Sequence, residues 1–150
     1  MQTTGRPAPA LPQDIEWRLP RHARSVGRVR ALFREQAASW ALSDDVTDTA
    51  ELLLSELTTN AYRHAKAPAG REIWARAVLT NDPGRLLRLL VTDAGESFAG
   101  PGPAPQLPAL KAESGRGLVL VQALADAWGS EPRPRGPGKT VWCELRLEQE

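Results

Sequence analysis

The segment from Ser43 to about Lys66 constrains this chain more than any other. Val46, Ala50, Leu53, Leu57 and Ala61 recur at three- and four-residue steps and form one apolar stripe on a long helix. Ser43 is suited to cap its start. Asp44, Asp45 and Asp48 crowd its first turns, where the helix dipole favours negative charge. Pro68 and Gly70 then stop it. A helix of this kind must bury its stripe against another layer, so the neighbouring segments decide the fold class.

Those segments alternate between two periods. Ile15, Trp17 and Leu19 have strand spacing, closed by Pro20. Val26, Val29, Phe33, Ala37 and Trp40 predict a first helix over about 22–40, with Arg24, Arg28, Arg30 and Arg34 mostly on its other faces. Two strands are predicted at 72–80 and 85–92, around a tight turn at Asn81-Asp82-Pro83-Gly84. The second is almost continuously apolar and is expected near the middle of a sheet. Residues 94–117 lose all period. Leu118–Trp128 reads as a helix, Gly129–Gly138 as a turn, and Val141, Cys143, Leu145 and Leu147 as a last strand. Strands and helices do not alternate regularly, so a doubly wound fold is excluded. The expectation is α+β: helices on one face of a mixed, largely antiparallel sheet. Trp40, Trp74, Trp128 and Trp142 read as core or edge packing.

The 150 residues suit one domain. Residues 1–13 carry little apolar surface and read as a disordered tail, leaving 14–150 as the folded unit. The 19 basic and 18 acidic side chains leave a net charge of +1, against a nucleic-acid footprint. The single cysteine, Cys143, rules out an internal disulfide and fits a reducing compartment. No apolar run approaches membrane-spanning length, and the N-terminus lacks a signal-peptide core, so a cytoplasmic protein without membrane contact is expected. The chain also holds 13 Pro and 12 Gly, many of them in the aperiodic stretch 94–117. A loop of that length inside a compact domain is usually functional or disordered.

Four groups of residues carry possible chemistry. Glu56, Asn60 and His64 are spaced by four, along one edge of the long helix. Asn60 can offer a carbonyl oxygen to a hard cation such as Mg²⁺, and Glu56 can take a proton from or orient an attacking hydroxyl. The same spacing also suits an ordinary solvated helix face. Asp93, followed by Ala94 and Gly95, can accept hydrogen bonds from an exocyclic amine, and the glycine lets backbone approach a flat ligand. It also suits a plain turn. Gly115-Arg116-Gly117 opens a helix and could present backbone N–H groups and a guanidinium to phosphate. Thr140, in Gly138-Lys139-Thr140 at the start of the last strand, has a hydroxyl that could lie beside a ligand ring, or is simply a β-branched strand residue.

Taken in order, these groups resemble the nucleotide-binding fold of histidine kinases, gyrase and the heat-shock-chaperone ATPases. The nearest resemblance is to the small bacterial anti-sigma factor serine-protein kinases and their ATP-binding regulatory relatives. It is carried by LLLSELTTNAYRHA, VTDAG, GRGLVLVQALADAWG and GKTVWCELRL, and spans roughly residues 14–148. The resemblance implies a two-layer α/β sandwich of the Bergerat type that binds ATP with Mg²⁺. It implies Glu56 as general base and Asn60 as Mg²⁺ ligand, with His64 one turn on as a polar nucleotide contact. Asp93 would read the adenine amino group beside Gly95. Gly115 and Gly117 would wrap the phosphates with Arg116 between them, Thr140 would lie near adenine, and residues 96–113 would form the lid. Ser97 departs from the family pattern, which often has a second glycine there.

The activity implied is that of an anti-sigma factor with serine-protein kinase activity toward an anti-sigma factor antagonist. Its partners would be a sigma factor, that antagonist, and a second copy of the chain in a homodimer. The alternative is a non-catalytic ATP-binding module that controls a transcription factor by partner switching; Ser97 and the Pro-rich lid leave it open. A sensor histidine kinase is not expected without a membrane span or a dimerising helix pair. The arginine-rich face of the first helix reads either as a partner surface or as a solvated face.

Overall fold

The computed structural model describes residues 13–64, 72–81, 84–93, 116–133 and 138–147, without the side chains of residues 64 and 116–118. In chain order the elements are β1 (Gln13–Pro20), α1 (Arg24–Ser39), α2 (Asp44–His64), β2 (Glu72–Thr80), β3 (Leu86–Asp93), α3 (Arg116–Leu124), β4 (Ala127–Pro132) and β5 (Lys139–Arg146). The strands form one sheet in the order β1-β2-β3-β5-β4. All four pairings are antiparallel. The three described helices pack against one face of the sheet, making the two-layer α+β sandwich expected from the pattern.

Strand parity explains where the core lies. Ile73, Ala75, Ala77 and Leu79 of β2 are buried, as are Leu87, Leu89 and Val91 of β3 and Val141, Cys143 and Leu145 of β5. Registration places them side by side, with Ala75 opposite Val91, Val91 opposite Val141 and Leu89 opposite Cys143. Ala50, Leu53, Leu54 and Leu57 of α2 and Val29, Phe33 and Ala37 of α1 close over this face. Fully burying a residue of the Leu or Phe class is worth roughly 1.5–3 kcal/mol, so this layer is the main source of stability. Cys143 lies within it, and burial, with the Glu144 charge second, pushes its thiol up to about 12.

The helix ends are well defined. The Ser43 hydroxyl accepts from the Val46 N–H at 3.2 Å, as its capping role requires. The first turn of α1 is held differently, since the His22 Nδ1 accepts from the Arg24 N–H at 3.0 Å and the Ser25 hydroxyl donates to the Pro20 carbonyl at 2.7 Å. At the other end of α1 the Leu42 N–H bonds to the Ala37 carbonyl and the Ala41 N–H to the Ala38 carbonyl, both at 3.0 Å. This is a Schellman closure, with Ala41 in the left-handed position at φ 57°. Glycine adopts that conformation without a Cβ penalty. Ala41→Gly is therefore expected to stabilise the protein by about 0.5–1 kcal/mol, read as an upward shift of the denaturant midpoint. A downward shift would mean the turn is set by something other than its backbone.

Charged pairs fix the helix hairpin. Arg34 of α1 pairs with Glu51 and Asp48 of α2, and Arg30 lies 3.8 Å from Glu51. Two of the four arginines on the first helix are thus engaged with α2.

Three expectations from sequence need correction. The last helix ends at Leu124, and Trp128 and Gly129 belong to a strand, β4, that reading the pattern missed. Ala-Trp-Gly-Ser-Glu-Pro has no alternation and poor strand propensity, so tertiary pairing decides its state. The Asp126 N–H donates to the Glu144 carbonyl and the Asp126 carboxylate accepts from the Arg146 N–H, which starts the pairing. Gly129 lies against the Trp142 ring, and a Cβ there would come within 2.8 Å of it. The second correction concerns tryptophans. Trp17, Trp40 and Trp128 pack against the core, but Trp74 and Trp142 stand on the opposite face of the sheet. There Trp74 is flanked by the Arg18 and Arg133 guanidiniums at 4.3 and 4.9 Å, and Trp142 by Arg88 at 4.9 Å. Arg76 on that face holds Asp14 through two hydrogen bonds, which lower the Asp14 carboxyl below its ordinary range. The strand of Asp14 begins at Gln13, one residue inside the stretch expected to be a tail.

Candidate functional site

The long helix α2 places a polar side chain where apolar ones would be expected. Asn60 is 3% exposed, next to Ala61 and one turn beyond the fully buried Leu57. Its carbonyl oxygen and its amide nitrogen are both buried, and no described residue hydrogen-bonds either atom. A buried amide without partners costs roughly 1–3 kcal/mol. Thr58, also buried on α2, solves the same problem locally by donating to the Leu54 carbonyl at 2.8 Å. Among the described residues Asn60 has no such partner. It is therefore set up for a group from outside the described fold. Glu56, one turn earlier, is half-buried.

The course of the chain brings other expected residues to the same end of the molecule. β1 ends at Pro20, opposite Glu72 at the start of β2, and β3 ends at Asp93, opposite Ile73. α1 leaves from this end and α2 returns toward it, so the Asn60 turn and His64 approach it. α3 follows Asp93 in chain order, with Arg116 and Gly117 in its first turn. Gly95, Ser97, Gly115 and the segment 96–113 lie outside the described residues, as do the side chains of His64 and Arg116.

Asp93 falls on the helix-covered face, since it continues the parity of Leu87, Leu89 and Val91. Thr140 does not join it. In register Thr140 is opposite Thr92, and their hydroxyls meet at 2.7 Å on the outer face, alongside Trp142. The residue opposite Asp93 is Lys139. Neither Asp93 nor Lys139 is without a partner in the fold. Reading along the chain missed this placement because a shift of one residue moves every side chain of a strand to the other face.

Gly138 locks the junction. Its φ is +100°, and a Cβ built on it would stand 1.9 Å from the Asp93 carbonyl oxygen. Only glycine lets these two strand ends approach so closely. The Arg133 N–H closes the return from β4 by donating to the Gly138 carbonyl at 3.1 Å. One pair further in on the helix face, Ser130 opposite Val141 has a buried hydroxyl with no partner among the described residues. The proline- and glycine-rich approach to the strand was the available signal for Gly138; nothing in the sequence singled out Ser130.

Chemically, this end combines a buried amide, a carboxylate, an ammonium and a close backbone approach. Among the described residues no group of three or more His, Cys, Asp or Glu could hold a metal ion. Asn60 alone would be a poor cation cage. It fits Mg²⁺, which usually takes only one or two protein oxygens and completes its shell with water and substrate phosphates. No described helix is long and apolar enough to cross a membrane.

A family model for the histidine kinase-like ATPase domain matches residues 19–144. That range runs from the end of β1 into β5 and contains every residue of the site just described. No curated protein matches the sequence.

Proposed function

This chain belongs to the histidine kinase-like ATPase domain family and is an ATP-binding domain; from that premise we propose that it is a Mg²⁺-dependent serine-protein kinase that also acts as an anti-sigma factor. The observation that carries the nucleotide site is Asn60, a buried side chain whose two polar atoms have no hydrogen-bond partner among the described residues. In this reading the Asn60 carbonyl holds Mg²⁺, and Asp93 accepts from the adenine amino group. Gly95, Gly115, Arg116 and Gly117 contact the phosphates, with His64 nearby. Bound Mg²⁺ would offset charge on the phosphates during transfer. Glu56, on the same edge of α2, takes the proton of an incoming serine hydroxyl. The hydroxyl oxygen forms its bond to the γ-phosphorus as the bond to the β,γ-bridging oxygen breaks, and ADP leaves. The acceptor serine belongs to an antagonist protein, and the sigma factor is the second partner. The exposed part of the α1 face, around Arg24 and Arg28, is a surface for one of them or for a second copy of the chain. A cytoplasmic location follows from those partners.

The test is incubation of the protein with γ-labelled ATP, Mg²⁺ and a candidate antagonist. Transfer of label to serine is expected, and Glu56→Ala is expected to lower it by about 10²–10⁴-fold while leaving ATP affinity within about threefold. ATP binding with no transfer to any antagonist would instead favour a non-catalytic partner-switching module.

A further inference from the structure

We propose that Lys139 is the second base-reading residue of the nucleotide site and donates to the ring nitrogen beside the amino group that Asp93 accepts from. This rests on the ATP-binding reading above and deepens it. Three observations carry the assignment. First, Lys139 is in direct register with Asp93, and opposed residues of antiparallel strands stand roughly 4.5–5.5 Å apart at Cα. Second, both fall on the helix-covered face, at the end of the sheet toward which the Asn60 turn of α2 runs. Third, Gly138 presses the start of β5 against the Asp93 carbonyl, so the two side chains spring from one tight backbone junction.

The chemistry of the pair matches one edge of adenine. That edge presents the N6 amine, a donor, next to N1, an acceptor. A carboxylate is an acceptor only, and an ammonium is a donor only. Placed side by side they complement both groups at once. The carboxylate has two oxygens and about four acceptor positions, so an interaction of Asp93 within the fold leaves capacity for the amine. Thr140 cannot supply this donor, because its hydroxyl meets that of Thr92 on the other face. The ammonium also makes a distinction that a hydroxyl would not, since a hydroxyl can turn to donate or accept.

The test compares Mg²⁺–ATP with Mg²⁺–1-deaza-ATP, in which a C–H replaces N1, by calorimetry on the full chain. Wild-type protein is expected to bind the deaza analogue about tenfold more weakly, the size expected for one hydrogen bond from a charged donor. Lys139→Met is expected to bind ATP about tenfold more weakly and to make no distinction between the two nucleotides. Lys139→Arg keeps a cationic donor and is expected to retain part of the distinction, so the comparison survives if the methionine variant does not fold. Equal binding of both nucleotides by wild-type protein overturns the assignment. So does an undiminished preference for ATP in Lys139→Met. Failure of wild-type protein to bind either nucleotide would instead count against the ATP site itself.

Discussion

Replacing Asn60 by leucine is expected to change stability and binding in opposite directions. The side chains are similar in size, and the position is 3% exposed. In the ligand-free protein the substitution removes two buried polar atoms that have no partner among the described residues, and adds apolar burial. The relief is worth about 1–3 kcal/mol, the usual penalty for an unsatisfied buried group. For a domain of this size that is an upward shift in melting temperature of several degrees, taking about 2–4 °C per kcal/mol. Adding Mg²⁺ and ATP at about 100 times the dissociation constant should stabilise wild-type protein by about 2.7 kcal/mol and leave Asn60→Leu nearly unchanged. The variant is thus the more stable protein without nucleotide and the less responsive one with it. A variant that melts lower without ligand and still responds fully to Mg²⁺–ATP would make Asn60 a structural residue.

Gly138→Ala is expected to be the most damaging single methyl group that can be added to the described fold. The left-handed backbone, at φ +100°, costs roughly 1–3 kcal/mol once a Cβ is present. The new atom would also stand 1.9 Å from the Asp93 carbonyl oxygen, which forces β5 away from β3. Overpacking of this kind costs about 1–3 kcal/mol more. A total near 3 kcal/mol or above is a large part of the 5–15 kcal/mol that holds a typical domain together. Thermal unfolding should move down by about 6–12 °C. A change under about 2 °C would show that the Gly138–Asp93 approach is not a feature of the folded protein. By contrast, Gly27→Ala on α1 adds a Cβ to open space and should be neutral or mildly stabilising.

Much of this architecture was legible in the sequence because burial leaves a period. The stripe from Val46 to Ala61 marked α2, alternation marked β1 and β5, and the turn signal at 81–84 set off β2 as a strand. The apolar run of β3 marked a central strand, as its place between β2 and β5 bears out. β4 left no such mark. Its residues are half-exposed, and it exists because Asp126 and the ladder with β5 hold it there. The site was legible in part for the same reason. Helix spacing put Glu56, Asn60 and His64 on one edge, but could not say that Asn60 is enclosed while Glu56 is only half so. Strand parity decided between Lys139 and Thr140, and parity depends on register, which adjoining residues do not encode. The outer tryptophans were misplaced for a related reason. Large aromatic residues usually signal a core, yet arginine stacking lets Trp74 and Trp142 stay on the other face.

The order of strands also bears on how the molecule is made. β5 lies inside the sheet, between β3 and β4, although it is the last strand described along the chain. During synthesis the earlier elements emerge first, so β3 must wait with one edge unpaired until residues 139–146 leave the ribosome. That edge belongs to the most apolar strand, and in the meantime it is open to mispairing. The same late strand carries Gly138 and Lys139 to Asp93. Nascent chains stalled before β5 should therefore neither protect β3 from exchange nor retain nucleotide, and the capacity to do both should arise together when the last strand docks.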